Sequence, residues 1–437
     1  MTPPSSHAGH SGAAVAVVGA GYVGLTTAAC LAHLGHRVVC GELDPEKVAR
    51  LSRGEATILE DGLPELLAEG LASGRLRFVT GARAAVGEAT FVFLCVPTPE
   101  RPDGSADVTV LESVAREIGP YLSHGAVVVN KSTVPVGSAI MVEELLDRPG
   151  IPVVSNPEFL RERSAVHDCL HPDRIVVGAA DQGAAARVGA LFSATQAPLI
   201  VTDAATAETI KYASNAFLAT KLSFVNAVAN LSEAVGADVR DVLLGLAYDH
   251  RIGFDYLRPG PGWGGSCLPK DTRALLFMAE TGGYDFPLLR EVIQTNDAQR
   301  AGVLAKIRRA LDGSLAGSRV AVWGLTFKAR TDDRRYSPAL EIVGRMLEEG
   351  AAVTAFDPTV STSLPELPAV EVAADAYAAC DGAQVVVVLT EWDELRWLDF
   401  AKVRALLARP QVVDARNLLD PSALRRMGFT YVGVGRP

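Results

Sequence analysis

Cys267 stands in the run Pro259-Gly260-Pro261-Gly262-Trp263-Gly264-Gly265-Ser266-Cys267-Leu268-Pro269-Lys270-Asp271. Glycines crowd one side of the thiol, where backbone can approach a ligand without side chains in the way. The stretch Thr272–Glu280 reads as a helix with Gly282-Gly283 as its stop. The thiol then lies near a helix N-terminus, whose partial positive charge favours the nucleophilic thiolate. A cysteine packed only as a small hydrophobe needs none of this. Asp271 follows four residues later. Lys211 and Asn215 are also four apart in a helical stretch, hence on one face. Together they can hold an alkoxide or oxyanion. Asn156-Pro157-Glu158-Phe159-Leu160-Arg161-Glu162 follows an apolar run and places Glu158 and Glu162 four apart. Thr133, in Lys131-Ser132-Thr133-Val134-Pro135, offers a hydroxyl to a substrate or water. A thiol, a lysine and several carboxylates suit nucleophilic addition to a carbonyl with acid–base support.

A second signal sits near the start. Ala13–Val18 is a buried-strand run, followed by Gly19-Ala20-Gly21-Tyr22-Val23-Gly24, a helical stretch to His33, and a strand through Cys40. In this context the glycines make a dinucleotide fingerprint. Gly19 allows the tight turn, Gly21 the approach of pyrophosphate, and Gly24 the helix–strand packing. Tyr22 and Val23 open the helix whose N-terminus faces the phosphates. Glu42 is placed for the ribose hydroxyls and repels a 2′-phosphate, which favours NAD over NADP; Lys47 close by works against that preference. Cys95-Val96-Pro97-Thr98-Pro99 ends a central strand, so Pro97 and Thr98 are expected beside the cofactor.

These groups need a scaffold of more than one core, and 437 residues predict two or three domains. Hydrophobic residues make up 49% and charged residues 21%, a globular composition, and a net charge of −10 argues against general nucleic-acid or anionic-membrane binding. No apolar stretch reaches the roughly 20 residues that span a bilayer. Residues 1–12 are rich in Pro, Ser, His and Gly and read as a disordered tail rather than a signal peptide. The six cysteines are scattered, with neither disulfide nor metal-ligand spacing, so no metal is expected and a reducing cytoplasm fits. Phe91–Val96, Ala126–Val129 and Pro152–Val154 are further strand runs alternating with helical segments, which predicts a parallel, doubly wound sheet. From Thr206 to Gly236 the chain is alanine-rich and free of proline, one long helix. Strand–helix alternation resumes near Ser318, with Arg319–Gly324, Ala352–Asp357, Gln384–Leu389 and Gln411–Asp414 as strands. The fold class is α/β: two Rossmann-like domains joined by a central helical domain.

In this order the motifs resemble the UDP-glucose/GDP-mannose dehydrogenase family. The likeness runs from Gly19–Leu25 through Lys131–Pro135, Asn156–Glu162, Lys211 with Asn215, and Gly264–Asp271, to Gly324-Leu325-Thr326-Phe327-Lys328 and Asp414-Ala415-Arg416-Asn417. It implies a tail at 1–12, an NAD-binding domain at 13–205, a helical dimerisation domain at 206–315 and a nucleotide-sugar-binding domain at 316–437. It also implies NAD-dependent, four-electron oxidation of the C6 alcohol of a nucleotide hexose to the uronate. By this resemblance Cys267 forms a thiohemiacetal and then a thioester, and Lys211 with Asn215 stabilises the oxyanions. Asp271 with a water serves the alcohol step and Glu158 the hydrolysis, while Glu162 and Thr133 hold the water network and also border the cofactor. Lys270 and Arg335 are counted with the cofactor as well. Phe159, Leu160, Arg161, Tyr256, Leu257 and Gly264 are expected around the nucleotide sugar, with Lys328 and Arg416 from the last domain. Arg251 is expected to reach the partner subunit's site in a homodimer.

The chain departs from the family's pattern at Arg163, where glycine is common, at Trp263 and Leu268, where tyrosine and phenylalanine are common, and at Tyr336, where an acid is usual. UDP-glucose is the favoured substrate, with dTDP-glucose and GDP-mannose as alternatives. A two-electron hydroxyacid dehydrogenase would share the Rossmann domain and the Lys/Asn helix but would need neither Cys267 nor a second Rossmann-like domain. An inactive NAD-binding regulator would not need the full set of catalytic groups.

Overall fold

Unbroken valine-rich runs make stable strands when both faces of their sheet are covered. The structure, a computed structural model, describes residues 12–436, so all of the expected tail except Gly12 lies outside the described residues. The chain forms two compact units, one up to Ala213 and one from Ser214. In the first, β1 (Ala14–Val18), β2 (Arg37–Glu42), β3 (Leu76–Thr80), β4 (Phe91–Leu94), β5 (Val127–Asn130), β6 (Val153–Ser155), β7 (Ile175–Gly178) and β8 (Leu199–Thr202) form one sheet in the order β3-β2-β1-β4-β5-β6-β7-β8. Side chains alternate between its faces. Val15 and Val17 enter one apolar core, Ala16 and Val18 the other.

The sheet is parallel except where β7 meets β6, paired antiparallel through Ser155 and Gly178. The expected parallel, doubly wound sheet is thus present, with one antiparallel junction. Only the six-residue helix Ala165–Leu170 lies between these strands, and antiparallel neighbours need no long crossover. The link between them begins at Asn156, so the segment carrying Glu158 and Glu162 leaves the end of a strand as irregular chain.

The second unit holds a six-stranded parallel sheet: β9 (Arg319–Trp323), β10 (Ala352–Phe356), β11 (Glu371–Val372), β12 (Val385–Val388), β13 (Gln411–Asp414) and β14 (Thr430–Val432), ordered β11-β10-β9-β12-β13-β14. Val320 and Val322 face one core, Ala321 and Trp323 the other. The indole of Trp323 is fully buried and donates to the Ala376 carbonyl at 3.1 Å, which satisfies its one polar atom.

The long helix spans Ala204–Val235, so both units share this element. Asp203 accepts the Thr206 N–H at 2.8 Å at its start, and Gly236 at φ +75° ends it. Helices Val239–Ala247, Leu268–Thr281 and Pro287–Ala310 follow. No helix among the described residues is long and apolar enough to cross a membrane.

Candidate active site

The glycine turn has the geometry that a dinucleotide requires. Gly19 has φ +97°, and a Cβ there would meet the Cys95 carbonyl oxygen at 2.5 Å. A Cβ on Gly24 would lie 1.9 Å from the Gly19 carbonyl oxygen, whereas Gly21 has nothing within 4 Å. The first and third glycines are therefore demanded by packing, and the second keeps the approach to the helix Tyr22–His33 open. Glu42 ends β2. Its carboxylate accepts the Ala20 N–H at 3.3 Å and the Leu43 N–H at 2.7 Å, and pairs with Lys47 at 3.0 Å. Burial pushes this carboxyl up, but Lys47 and the Leu43 and Asp44 amides outweigh it and hold it below its ordinary value. Lys47 thus spends its charge on Glu42. Thr98 donates to the Thr133 carbonyl at 2.8 Å, which ties the loops after β4 and β5 together; Pro97 precedes it in the first of these loops.

The Tyr22 hydroxyl is engaged by protein groups. It donates to Glu60 Oε2 and accepts the Arg163 N–H at 2.7 Å. Burial first, then Glu60 and the nearby charge of Glu162, raise the phenol above its ordinary value. Tyr22 can meet a cofactor through its backbone, while Val23 packs against the core.

Glu158 and Lys211 form a buried ion pair at 2.9 Å, with side chains only 6% and 4% exposed. The other Glu158 oxygen accepts the Leu160 N–H at 2.6 Å. Burial raises the Glu158 carboxyl, but Lys211 and that amide together hold it below its usual range. Phe159 lies under the Arg174 guanidinium at 3.6 Å, with the Lys211 ammonium 5.6 Å from the ring. Arg161 grips Asp168 at 2.6 Å. Two groups here were not singled out from the sequence. Lys131, buried, donates to Asn156 Oδ1 at 3.1 Å, and Asn156 donates to the Val176 carbonyl at 2.7 Å. Glu208, buried, accepts Ser155 Oγ at 2.8 Å and the Gly137 N–H at 2.7 Å. Both pin the loops that carry Thr133 and Glu158; Lys131 opens the Lys131–Pro135 motif, whereas Glu208 belongs to no local motif that would reveal it.

In the second unit, Cys267 is the exposed N-cap of Leu268–Thr281. The helix starts four residues earlier than the expected Thr272. Pro269 lies in this first turn, where a proline loses no helical hydrogen bond. The thiol therefore sits at the helix N-terminus itself, with Ser266 Oγ 3.5 Å from its sulfur. The other five cysteines are buried. One turn on, Asp271 is 1% exposed. Its oxygens accept Lys270 Nζ at 2.6 Å and Asn215 Nδ2 at 2.6 Å. Lys270, expected with the cofactor, neutralises this carboxylate, and Asn215 is its second partner.

The glycine run serves packing as much as ligand approach. A Cβ on Gly264 would lie 2.1 Å from the Tyr336 carbonyl oxygen, and one on Gly265 would press into the Phe327 ring at 2.8 Å. Gly260 faces Arg416. Arg416 donates to the Leu389 and Phe327 carbonyls at 2.9 and 2.7 Å and pairs with Glu391 at 3.0 Å. Lys328 lies 5.4 Å from the Phe327 ring centre. Leu257 packs on the core, and Tyr256 takes φ +60°. Arg335 is paired with Asp333 at 2.8 Å and borders a cavity of about 480 Å³. There Arg273, Arg300 and Arg334 face Asp297, Glu341 and Glu366, so the opposed charges largely cancel. Arg251 is exposed and bonded to Asp249. At the variant positions, Arg163 has φ +70° and Tyr336 φ +50°; glycine at 163 would adopt that conformation without strain.

Comparison with known proteins decides the family. The NAD binding domain of the UDP-glucose/GDP-mannose dehydrogenase family matches residues 13–196, its central domain 205–298 and its UDP binding domain 321–421. The chain belongs to the UDP-glucose/GDP-mannose dehydrogenase family. It is 41% identical to UDP-glucose 6-dehydrogenase TuaD of Bacillus subtilis, over 97% of this chain and 93% of that one. It is 42% identical to the UDP-glucose 6-dehydrogenase of Rhizobium meliloti, over 97% and 99%. Among solved structures, a UDP-glucose dehydrogenase from Pyrobaculum islandicum matches with a TM-score of 0.89 at 37% identity, covering all of both chains. The expected NAD cofactor and dehydrogenase class follow from family membership, and the glycine turn with Glu42 fits that cofactor.

Proposed function

We propose that this protein oxidises the C6 alcohol of UDP-glucose to the carboxylate with two equivalents of NAD, through a thioester on Cys267. The observation that carries the chemistry is an exposed thiol at the N-terminus of a helix, one turn from a buried carboxylate held by Lys270 and Asn215. Bound NAD supplies the hydride acceptor. In the alcohol step Asp271, acting with a water, takes the hydroxyl proton, and Lys211 stabilises the alkoxide. C6 of the alkoxide gives up its hydride and becomes the aldehyde, and the Cys267 thiolate then adds to that carbon. The resulting thiohemiacetal carries a hydride that can leave as the carbonyl re-forms, which a bare aldehyde does not offer. Loss of that hydride gives the thioester. Water adds to it, the C–S bond breaks and the carboxylate is released. Glu158, kept ionised by Lys211, orients this water, and Glu162 and Thr133 complete its network.

Gly19–Gly24, Glu42, Pro97 and Thr98 would hold the cofactor. Phe159–Arg161, Tyr256, Leu257, Gly264, Lys328 and Arg416 would surround the nucleotide sugar. The division at 13–205, 206–315 and 316–437 is proposed as the set of working domains. A homodimer is proposed on the long helix. Phe217, Phe224 and Leu231 recur every seven residues and are 68%, 58% and 59% exposed, an apolar stripe that asks for a second copy. Exposed Arg251 would serve the partner's site. A cytoplasmic location suits the five buried thiols. The nucleotide is tested with a panel of UDP-, dTDP- and GDP-sugars followed by NADH absorbance. UDP-glucose should give the highest kcat/KM, and a preference for another nucleotide would overturn the substrate assignment.

A further inference from the structure

One buried carboxylate in the first unit has no place in the mechanism above and gathers three distant parts of the chain. Glu60 is 4% exposed and lies in the loop before the helix Leu63–Ala72. Its Oε2 accepts both the Tyr22 hydroxyl and the Arg163 N–H, the latter at 2.7 Å, and its Oε1 accepts the Val166 N–H at 3.3 Å. Tyr22 is the first residue of the helix that faces the cofactor phosphates. Arg163 directly follows Glu162, at the end of the segment that carries Glu158. The neighbouring Asp61 pairs with the Arg163 guanidinium at 3.0 Å. Two adjacent acids thus hold one residue by its backbone and its side chain, in the left-handed conformation at φ +70° that a residue with a side chain rarely takes.

We propose that Glu60 is a positioning residue, a latch that fastens the Glu158–Glu162 segment to the cofactor-binding turn through Tyr22 and Arg163. A buried carboxylate with three donors is expensive to disturb, because any donor it loses leaves an oxygen unsatisfied away from water. A segment of irregular chain anchored at one end to β6 and at the other to Glu60 has little freedom left. The carboxylates of Glu158 and Glu162 are thereby held in register with the turn that binds NAD. Glu60 touches neither substrate nor cofactor in this account, and its effect reaches the chemistry only through the segment it fixes.

The inference rests on the dehydrogenase reading above, and its test separates the two. Full-length wild type, Glu60→Gln and Tyr22→Phe are compared for NADH formation from UDP-glucose, with kcat normalised to titratable Cys267 thiol, NAD affinity measured by direct titration, and melting temperature recorded. The latch predicts that Glu60→Gln lowers kcat at least about 10-fold, and Tyr22→Phe about 3-fold, while KM for UDP-glucose stays within about 3-fold, because misplacement of supporting groups acts on the reacting geometry. A purely structural role would lower the melting temperature and the titratable thiol but leave kcat per thiol intact, and that result overturns the latch. If Glu60→Gln does not fold, Tyr22→Phe, which deletes a single hydroxyl, decides alone. A wild type that binds NAD but makes no NADH would refute the dehydrogenase reading instead.

Discussion

Replacing Lys211 by methionine removes the cation from the buried pair with Glu158 and keeps most of the side-chain volume. Both partners are almost fully enclosed and lie 2.9 Å apart. Stripping one partner from such a pair costs about 3–5 kcal/mol, because the remaining charge stays buried without compensation. For a unit of this size each kcal/mol shifts the melting temperature by about 2–4 °C, so Lys211→Met should melt on the order of 10 °C lower near pH 7. The loss should also depend on pH. In the wild type the folded Glu158 carboxyl is held low by Lys211 and the Leu160 amide. It contributes stability above its unfolded value of about 4.3, and that contribution fades as pH falls through the lower folded value. In Lys211→Met burial dominates and the folded value rises above the unfolded one. The variant is then most favoured when Glu158 is protonated and loses stability as pH climbs. The gap in melting temperature should therefore be widest near pH 7 and close toward about pH 4. Thermal melts of both proteins across this range check it. A gap that is flat with pH, or within about 2 °C throughout, would refute the assignment of Lys211 as the cation that keeps Glu158 ionised.

Two further substitutions probe separate parts of the account. Cys267→Ser should abolish turnover while NAD titration gives an unchanged affinity, because the groups proposed to hold the cofactor, Gly19–Gly24, Glu42, Pro97 and Thr98, do not include that thiol; activity near that of wild type would rule out the thioester. Phe224→Asp puts a charge in the exposed stripe of the long helix and should shift the protein toward a slower-sedimenting monomer in analytical ultracentrifugation; an unchanged species would move the subunit interface elsewhere.

Much of this site was legible in the sequence because its pieces are local. Gly19, Gly24 and Glu42 keep fixed spacing around one strand and one helix, and sterics alone explain them once the turn is built. The strand runs of the second sheet were equally plain, since Val320–Trp323 and Val385–Val388 are unbroken apolar stretches. The helix after Cys267 begins at Leu268 rather than at Thr272, because a proline in the first turn, Pro269, costs no helical hydrogen bond. Gly264 and Gly265 were read as room for a ligand, but the Tyr336 carbonyl and the Phe327 ring, some seventy and sixty residues away along the chain, fill part of that room. Glu60 was invisible for the same reason: its partners lie 38, 103 and 106 residues away, and no local pattern records such a meeting. The reversed direction of β7 leaves no trace in side-chain period, because a strand alternates identically read either way.

The central claim is a four-electron oxidation that passes through Cys267, and the ratio of NADH formed to UDP-glucose consumed tests it most directly. The account predicts two NADH per sugar, with the uronate as product and no free aldehyde at any stage of the progress curve. One NADH per sugar, with an aldehyde or ketone released, would contradict it.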